Sequence, residues 1–124
     1  MALQFNVVER QNPQTKEKKW YASTKLTGSH DLKSLSQDIS QVSSLSAGDV
    51  YNVIMNLCDV LPKVLMDGNS VKMDGFGTFR LSFSSEGAAN KDDVSAGSIK
   101  DNYILFDAVD AIKEKVRKTK VNPA

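Results

Sequence analysis

Residues 113–120 concentrate positive charge: Lys113, Lys115, Arg117, Lys118 and Lys120 stand against the single acid Glu114. Cations at this density can neutralise phosphates, the sequence-independent part of nucleic-acid binding. The plainer reading is a solvated helix end whose cations complement the helix dipole. A second basic group lies near the N-terminus, where Arg10, Lys16, Lys18, Lys19 and Lys25 outnumber Glu9 and Glu17; its plainer reading is a solvated face. Trp20 and Tyr21 directly follow Lys18 and Lys19, and aromatics interleaved with lysine can stack on bases. On a strand the two rings point to opposite faces, so at least one should pack on a core, and Trp20 is the expected one. Arg80 and Lys72 would join these groups if the fold converged them on one surface.

Catalysis has little to work with. His30 is the only histidine, so there is no His-based metal cluster. Cys58 lies on the apolar side of a helical pattern and reads as a small core residue. Asp92 and Asp93 read as a solvated acidic loop. Gly75-Phe-Gly77 lacks the Gly-Lys-Ser/Thr and helix start of a phosphate loop. No enzyme activity, cofactor, metal or small-molecule substrate is expected.

Placing these residues requires the elements. Leu3–Glu9 alternates as a strand, and Lys18–Lys25 reads as a second, joined by the turn residues Asn12-Pro13 into a hairpin. Gly28 closes that unit. A first helix is expected from about Leu32 to Ser43, with Asp31 as N-cap and Leu32, Leu35, Ile39 and Val42 at helical spacing. A second begins at Ser46, where Ser46-Ala-Gly-Asp49 resembles a capping box. Its apolar face is broad: Val50, Val53, Ile54, Leu57, Cys58, Val60, Leu61, Val64 and Leu65. A face that wide suits burial against more than one neighbour, both the core and a second subunit. Pro62 should kink the helix late, and Gly68 is the expected residue just past its end.

The segment Val71-Lys-Met-Asp-Gly-Phe-Gly-Thr-Phe-Arg-Leu-Ser-Phe83 then reads as two strands around a glycine-flanked corner. Phe79, Leu81 and Phe83 share one face. Glycines at 75 and 77 permit a sharp corner carrying one ring, with Phe76 and Phe79 expected to be substantially buried. Residues 84–97 form a long, mobile excursion poor in apolar side chains. Ile99–Phe106 returns as a strand, and a third helix starts at Asp107 with Val109, Ile112 and Val116 inward. The tail from Thr119 should fray.

Helix, strand, Gly-Phe-Gly-Thr-Phe corner and strand, with Phe106 opening the last helix, resemble the HU/IHF family of bacterial histone-like proteins. The N-terminal hairpin is similar to the extension of a divergent, Bacteroides-type HU-like branch. The resemblance implies an α+β fold with two N-terminal helices, a three-stranded antiparallel sheet with a β-arm, and a C-terminal helix, here with an extra N-terminal β-hairpin. The expected division is a hairpin extension at 1–28, an HU-like domain at 29–118 with its arm at about 84–98, and a flexible tail at 119–124. It further implies a homodimer that binds duplex DNA with little sequence preference in the cytoplasmic nucleoid. The expected DNA-binding residues are Arg80, Lys91, Lys100, Lys113, Lys115, Arg117, Lys118, Lys18 and Lys19.

The arm departs from the family pattern. Paired family arms grip DNA through Arg and Lys, with a wedging proline at each tip. Here residues 80–105 hold Arg80, Lys91 and Lys100 against Glu86, Asp92, Asp93 and Asp101, with no proline. A second reading therefore stays open: a structural or protein-interaction module on the same fold with little DNA affinity.

Composition bounds the rest. A chain of 124 residues is one domain by size. Sixteen Lys and Arg against 15 Asp and Glu leave a net charge of +1, so no global basic field exists. One cysteine cannot form an internal disulfide. No basic, then apolar, leader opens the chain, and no apolar run approaches the roughly 20 residues of a membrane span. A soluble cytoplasmic protein is expected.

Overall fold

The computed structural model describes residues 2–124. Its elements are β1 (Ala2–Gln11), β2 (Lys18–Lys25), α1 (Leu32–Gln41), α2 (Ala47–Met66), β3 (Val71–Met73), β4 (Gly77–Ser85), β5 (Ile99–Ala108), α3 (Asp110–Arg117) and β6 (Lys120–Pro123). Two antiparallel neighbours flank β4, giving a sheet of order β3-β4-β5, while the chain termini meet in a separate sheet of order β2-β1-β6.

Local chemistry sets most boundaries. Asp31 caps α1 by accepting from the Ser34 amide at 2.8 Å. Ser46 caps α2 the same way through the Asp49 amide at 3.1 Å. These bonds satisfy amides that a helix start otherwise leaves unpaired. Gly68 ends α2 in the left-handed region at φ +89, its amide bonded to the Leu65 carbonyl at 3.0 Å. Pro62 lies inside α2, which continues to Met66.

The corner is tightly packed at Gly77. A Cβ there would overlap the Phe106 ring and the Asp107 carbonyl, so only glycine fits the approach of β4 to β5. Phe76, Phe79 and Phe106 form a tilted cluster with centroids 4.6 to 6.1 Å apart. The β4–β5 ladder is regular to Phe83, shifts by one residue at Phe83/Ser84, and resumes to Ser85↔Ile99. Beyond it, the excursion folds into 3-10 turns at Lys91–Asp93 and Ala96–Ser98.

Several expectations are corrected. The tail does not fray: Lys120–Pro123 pairs in parallel with Ala2–Phe5, and the Ala124 amide donates to the Phe5 carbonyl at 3.0 Å. That edge of β1 offers unpaired backbone groups, which the C-terminus fills. The third helix starts at Asp110 rather than Asp107, because Asp107 and Ala108 still pair with Thr78 and Gly77. Helix α1 stops at Gln41 rather than Ser43. Trp20 is not a core residue; it stands 68% exposed on β2. Phe76 is 45% exposed, Phe79 is half-buried, and Cys58 is exposed.

Among the described residues, the buried side chains within the single chain are Val50, Leu65 and Ser36. Helix α2 turns Val50, Ile54, Leu61 and Leu65 toward α1 and the β3-β4-β5 sheet, but leaves Val53, Leu57 and Val60 as a second, exposed apolar stripe. The chain exposes 10440 Å². A folded monomer of 13.6 kDa exposes roughly 6,600 Å² by size scaling.

Candidate nucleic-acid interface

The end of α3 and the start of β6 border a shallow, open depression of about 520 Å³ lined by Lys115, Lys118, Thr119 and Lys120. Three lysines and Thr119 line it, with no carboxylate. Local folding explains the grouping. Thr119 bonds the Val116 carbonyl through both its amide (3.1 Å) and its hydroxyl (2.6 Å), which closes the helix and turns the chain into β6. Lys115 on α3 and Lys118 at its C-cap lie one turn apart, and the parallel pairing of β6 holds Lys120 beside them. Three like charges held together in water repel one another mildly; an anion in their midst relieves that repulsion.

Arg117, on the same helix, is partly neutralised by Glu114 at 2.8 Å. Lys113 is exposed on α3, outside the concavity. The helix itself is tied to the sheet by the Val109 amide, which donates to the Phe76 carbonyl at 3.0 Å.

The other expected site residues fall in separate places. Arg80 lines a smaller hollow of about 330 Å³ with Leu65, Gly68, Asn69, Ser70 and Leu81, at the end of α2. Lys91 sits in the 3-10 turn of the arm beside Asp92 and Asp93. Lys100 is bound to Glu86 at 2.8 Å on the arm stem. Lys18 reaches Glu9 at 3.9 Å across the hairpin. These exposed pairs are weak ties, yet each removes net charge from its spot. Lys19 carries no such partner among the described residues.

The fold thus brings Lys115 and Lys118 together and adds Lys120, which lies in the tail that the sequence alone suggests should fray. Its only sequence signal is membership of the basic run 113–120. Lys18 and Lys19, adjacent in sequence, are driven apart: register pairs Lys18 with Gln11 and Lys19 with Arg10, on opposite faces of the sheet. Among the described residues no group of His, Cys, Asp or Glu gathers as a metal set.

A comparison with curated protein sequences gives no match. Among solved structures, the chain is similar to a "Putative bacterial DNA binding protein from Bacteroides vulgatus ATCC 8482", at 19% identity and a TM-score of 0.65. That similarity covers 98% of this chain but 47% of the other, so the chain spans about half of that protein's length. It is also similar to HU in an Anabaena HU–DNA cocrystal structure, at 16% identity and a TM-score of 0.56, covering 72% of this chain and 99% of HU. At these identities the likeness establishes an HU-type α+β fold. A family model matches residues 1–123, and the chain belongs to that family, HU-HIG, described as an HU domain fused to wHTH, Ig, or glycine-rich motif.

Proposed function

We propose that the chain is a DNA-binding protein that holds duplex DNA by its phosphate backbone, with little sequence preference, as a homodimer acting in the bacterial nucleoid. The observation that carries this reading is the carboxylate-free groove of Lys115, Lys118 and Lys120 on an HU-type scaffold. Ammonium groups attract phosphate as point charges and do not read base edges. Lys113, Arg117, Arg80 and Lys19 add to the same field.

The arms contribute little in this reading. Lys100 is tied to Glu86 and Lys91 is flanked by two aspartates. Without a proline at the tip, wedge insertion and sharp kinking are not part of the mechanism. Catalysis is not part of it either.

Dimerisation is supported by the surface. The exposed stripe of Val53, Leu57 and Val60, together with the half-open Phe76–Phe79–Phe106 cluster, forms the kind of apolar area that obligate dimers cover. A partner chain would bring a second α3 groove and double the charge facing the DNA.

Fluorescence anisotropy with unrelated duplexes of equal length tests the reading. Similar affinities across sequences, weakening steeply with salt, are expected. The acidic balance of the arm favours one competitor, an interaction module on the same fold. That reading takes over if no duplex binds even at low salt.

A further inference from the structure

The terminal sheet has two unlike faces. Because β6 pairs with β1 in the register Ala2↔Lys120 and Gln4↔Asn122, and β2 in the register Arg10↔Lys19 and Gln4↔Lys25, one face collects Arg10, Lys19, Lys25 and Lys120. No aspartate or glutamate occupies that face. Tyr21 lies among these cations, with the Arg10 guanidinium 5.9 Å from its ring centroid. Gln4, Asn6, Ser23 and Asn122 share the face, with Val8 paired to Tyr21. The opposite face carries Leu3, Phe5, Val7, Trp20 and Val121, with its one facing ion pair, Lys18–Glu9, at the hairpin end. All four cations of the first face are exposed.

We infer that this cationic face is a second contact surface for the duplex phosphate backbone, continuous with the α3 groove. The inference rests on the DNA-binding reading and extends it. Three observations carry it. Charge on the face is of one sign, whereas the same hairpin places its paired charges on the other side. Lys120 belongs to both surfaces, since it lines the α3 groove and stands on this face. The face also ends in a concavity of about 300 Å³ between Arg10, Lys19 and Tyr21, with Glu17 of the loop as its only lining carboxylate.

The dimensions fit a strand of duplex. Lys19 and Lys25 lie six residues apart on β2, or about 20 Å at strand rise. That span matches about six phosphates at 3.4 Å of helix axis each. Amides between the cations can donate to phosphate and sugar oxygens without reading bases. DNA leaving the α3 groove past Lys120 would therefore continue along the sheet toward Arg10, and a longer duplex would engage more cations than a short one.

The test combines footprinting with a variant. Lysine acetylation of the unmodified protein, with and without a long random-sequence duplex, should show Lys19, Lys25 and Lys120 protected by DNA and Lys18 still reactive. The variant Arg10→Gln/Lys19→Gln/Lys25→Gln should then lose up to about 2.7 from the log–log salt slope on the long duplex, at about 0.9 per phosphate. It should bind a duplex short enough to fill only the α3 groove nearly as the unmodified protein does. Equal reactivity of Lys18 and Lys19 in bound protein, or an unchanged slope in a folded variant, overturns the inference while leaving the DNA-binding reading in place. No binding by the unmodified protein overturns both. Footprinting decides the matter even if the variant fails to fold.

Discussion

The Val109 amide donates to the Phe76 carbonyl at 3.0 Å, so the glycine corner and the N-cap of α3 are joined as a unit. Whatever the α3 lysines hold, the corner aims it.

Gly77→Ala tests that unit. The added methyl would overlap the Phe106 ring and the Asp107 carbonyl, and β4 cannot move off β5 without losing its ladder. A cost of about 1–3 kcal/mol is expected, as for other overpacked sites. Urea unfolding measures it, and a change below a few tenths would mean the approach is looser than described.

The proposed homodimer gives a mass prediction. Sedimentation at micromolar concentration should return twice the 13.6 kDa of one chain. Replacing Leu57 with a charged residue should weaken assembly and stability together, since its stripe is where a partner is expected to sit. A folded, monodisperse monomer would rule the dimer out.

Phe79→Ala and Phe76→Ala separate what one chain buries from what two bury. Phe79 contacts Phe106 at a centroid distance of 4.6 Å and should cost about 3 kcal/mol when truncated, the low end for phenylalanine. Phe76 is 45% exposed in one chain. A comparable cost at Phe76 is expected only if a partner covers the rest of its ring, whereas a cost under about 1 kcal/mol would place it in solvent.

Strand β6 should matter to the other end of the chain. Truncation after Thr119 removes the parallel partner of Ala2–Phe5 and the Ala124 bond to Phe5. Hydrogen exchange of the β1 amides that face β6 should accelerate, while β4 and β5 stay protected. Unchanged protection of β1 would show that β2 alone holds it.

Much of the fold was legible because its signals are local. Asp31 and Ser46 cap their helices through amides only three residues ahead, and Gly68 and the Gly75–Gly77 corner sit where backbone geometry demands small residues. The hairpin followed from alternation around Asn12-Pro13. What escaped is non-local. Nothing near Lys120–Pro123 announces that its partner is Ala2–Phe5, so the tail read as frayed. The start of α3 was misplaced because Asp107 can open a helix or extend a ladder, and pairing with Thr78 decides for the ladder. Alternation put Trp20 and Tyr21 on opposite faces but could not say which face is covered. The candidate site is visible in the sequence as separate lysines, not as a grouping: joining Lys120 to Lys115 and Lys118, and splitting Lys18 from Lys19, both depend on strand register.

The central claim is that DNA is held by the cations of α3 and the adjoining strand rather than by the arm. Its most direct measurement is the salt dependence of binding to a random-sequence duplex for two variants beside the unmodified protein. Replacing Lys115, Arg117 and Lys118 with glutamine should flatten the log–log slope by up to about 2.7, at about 0.9 per phosphate. Deleting residues 87–97, the acidic end of the arm, should change it little. Normal binding by the triple variant together with lost binding by the deletion would contradict the account and make the arm the DNA-holding element.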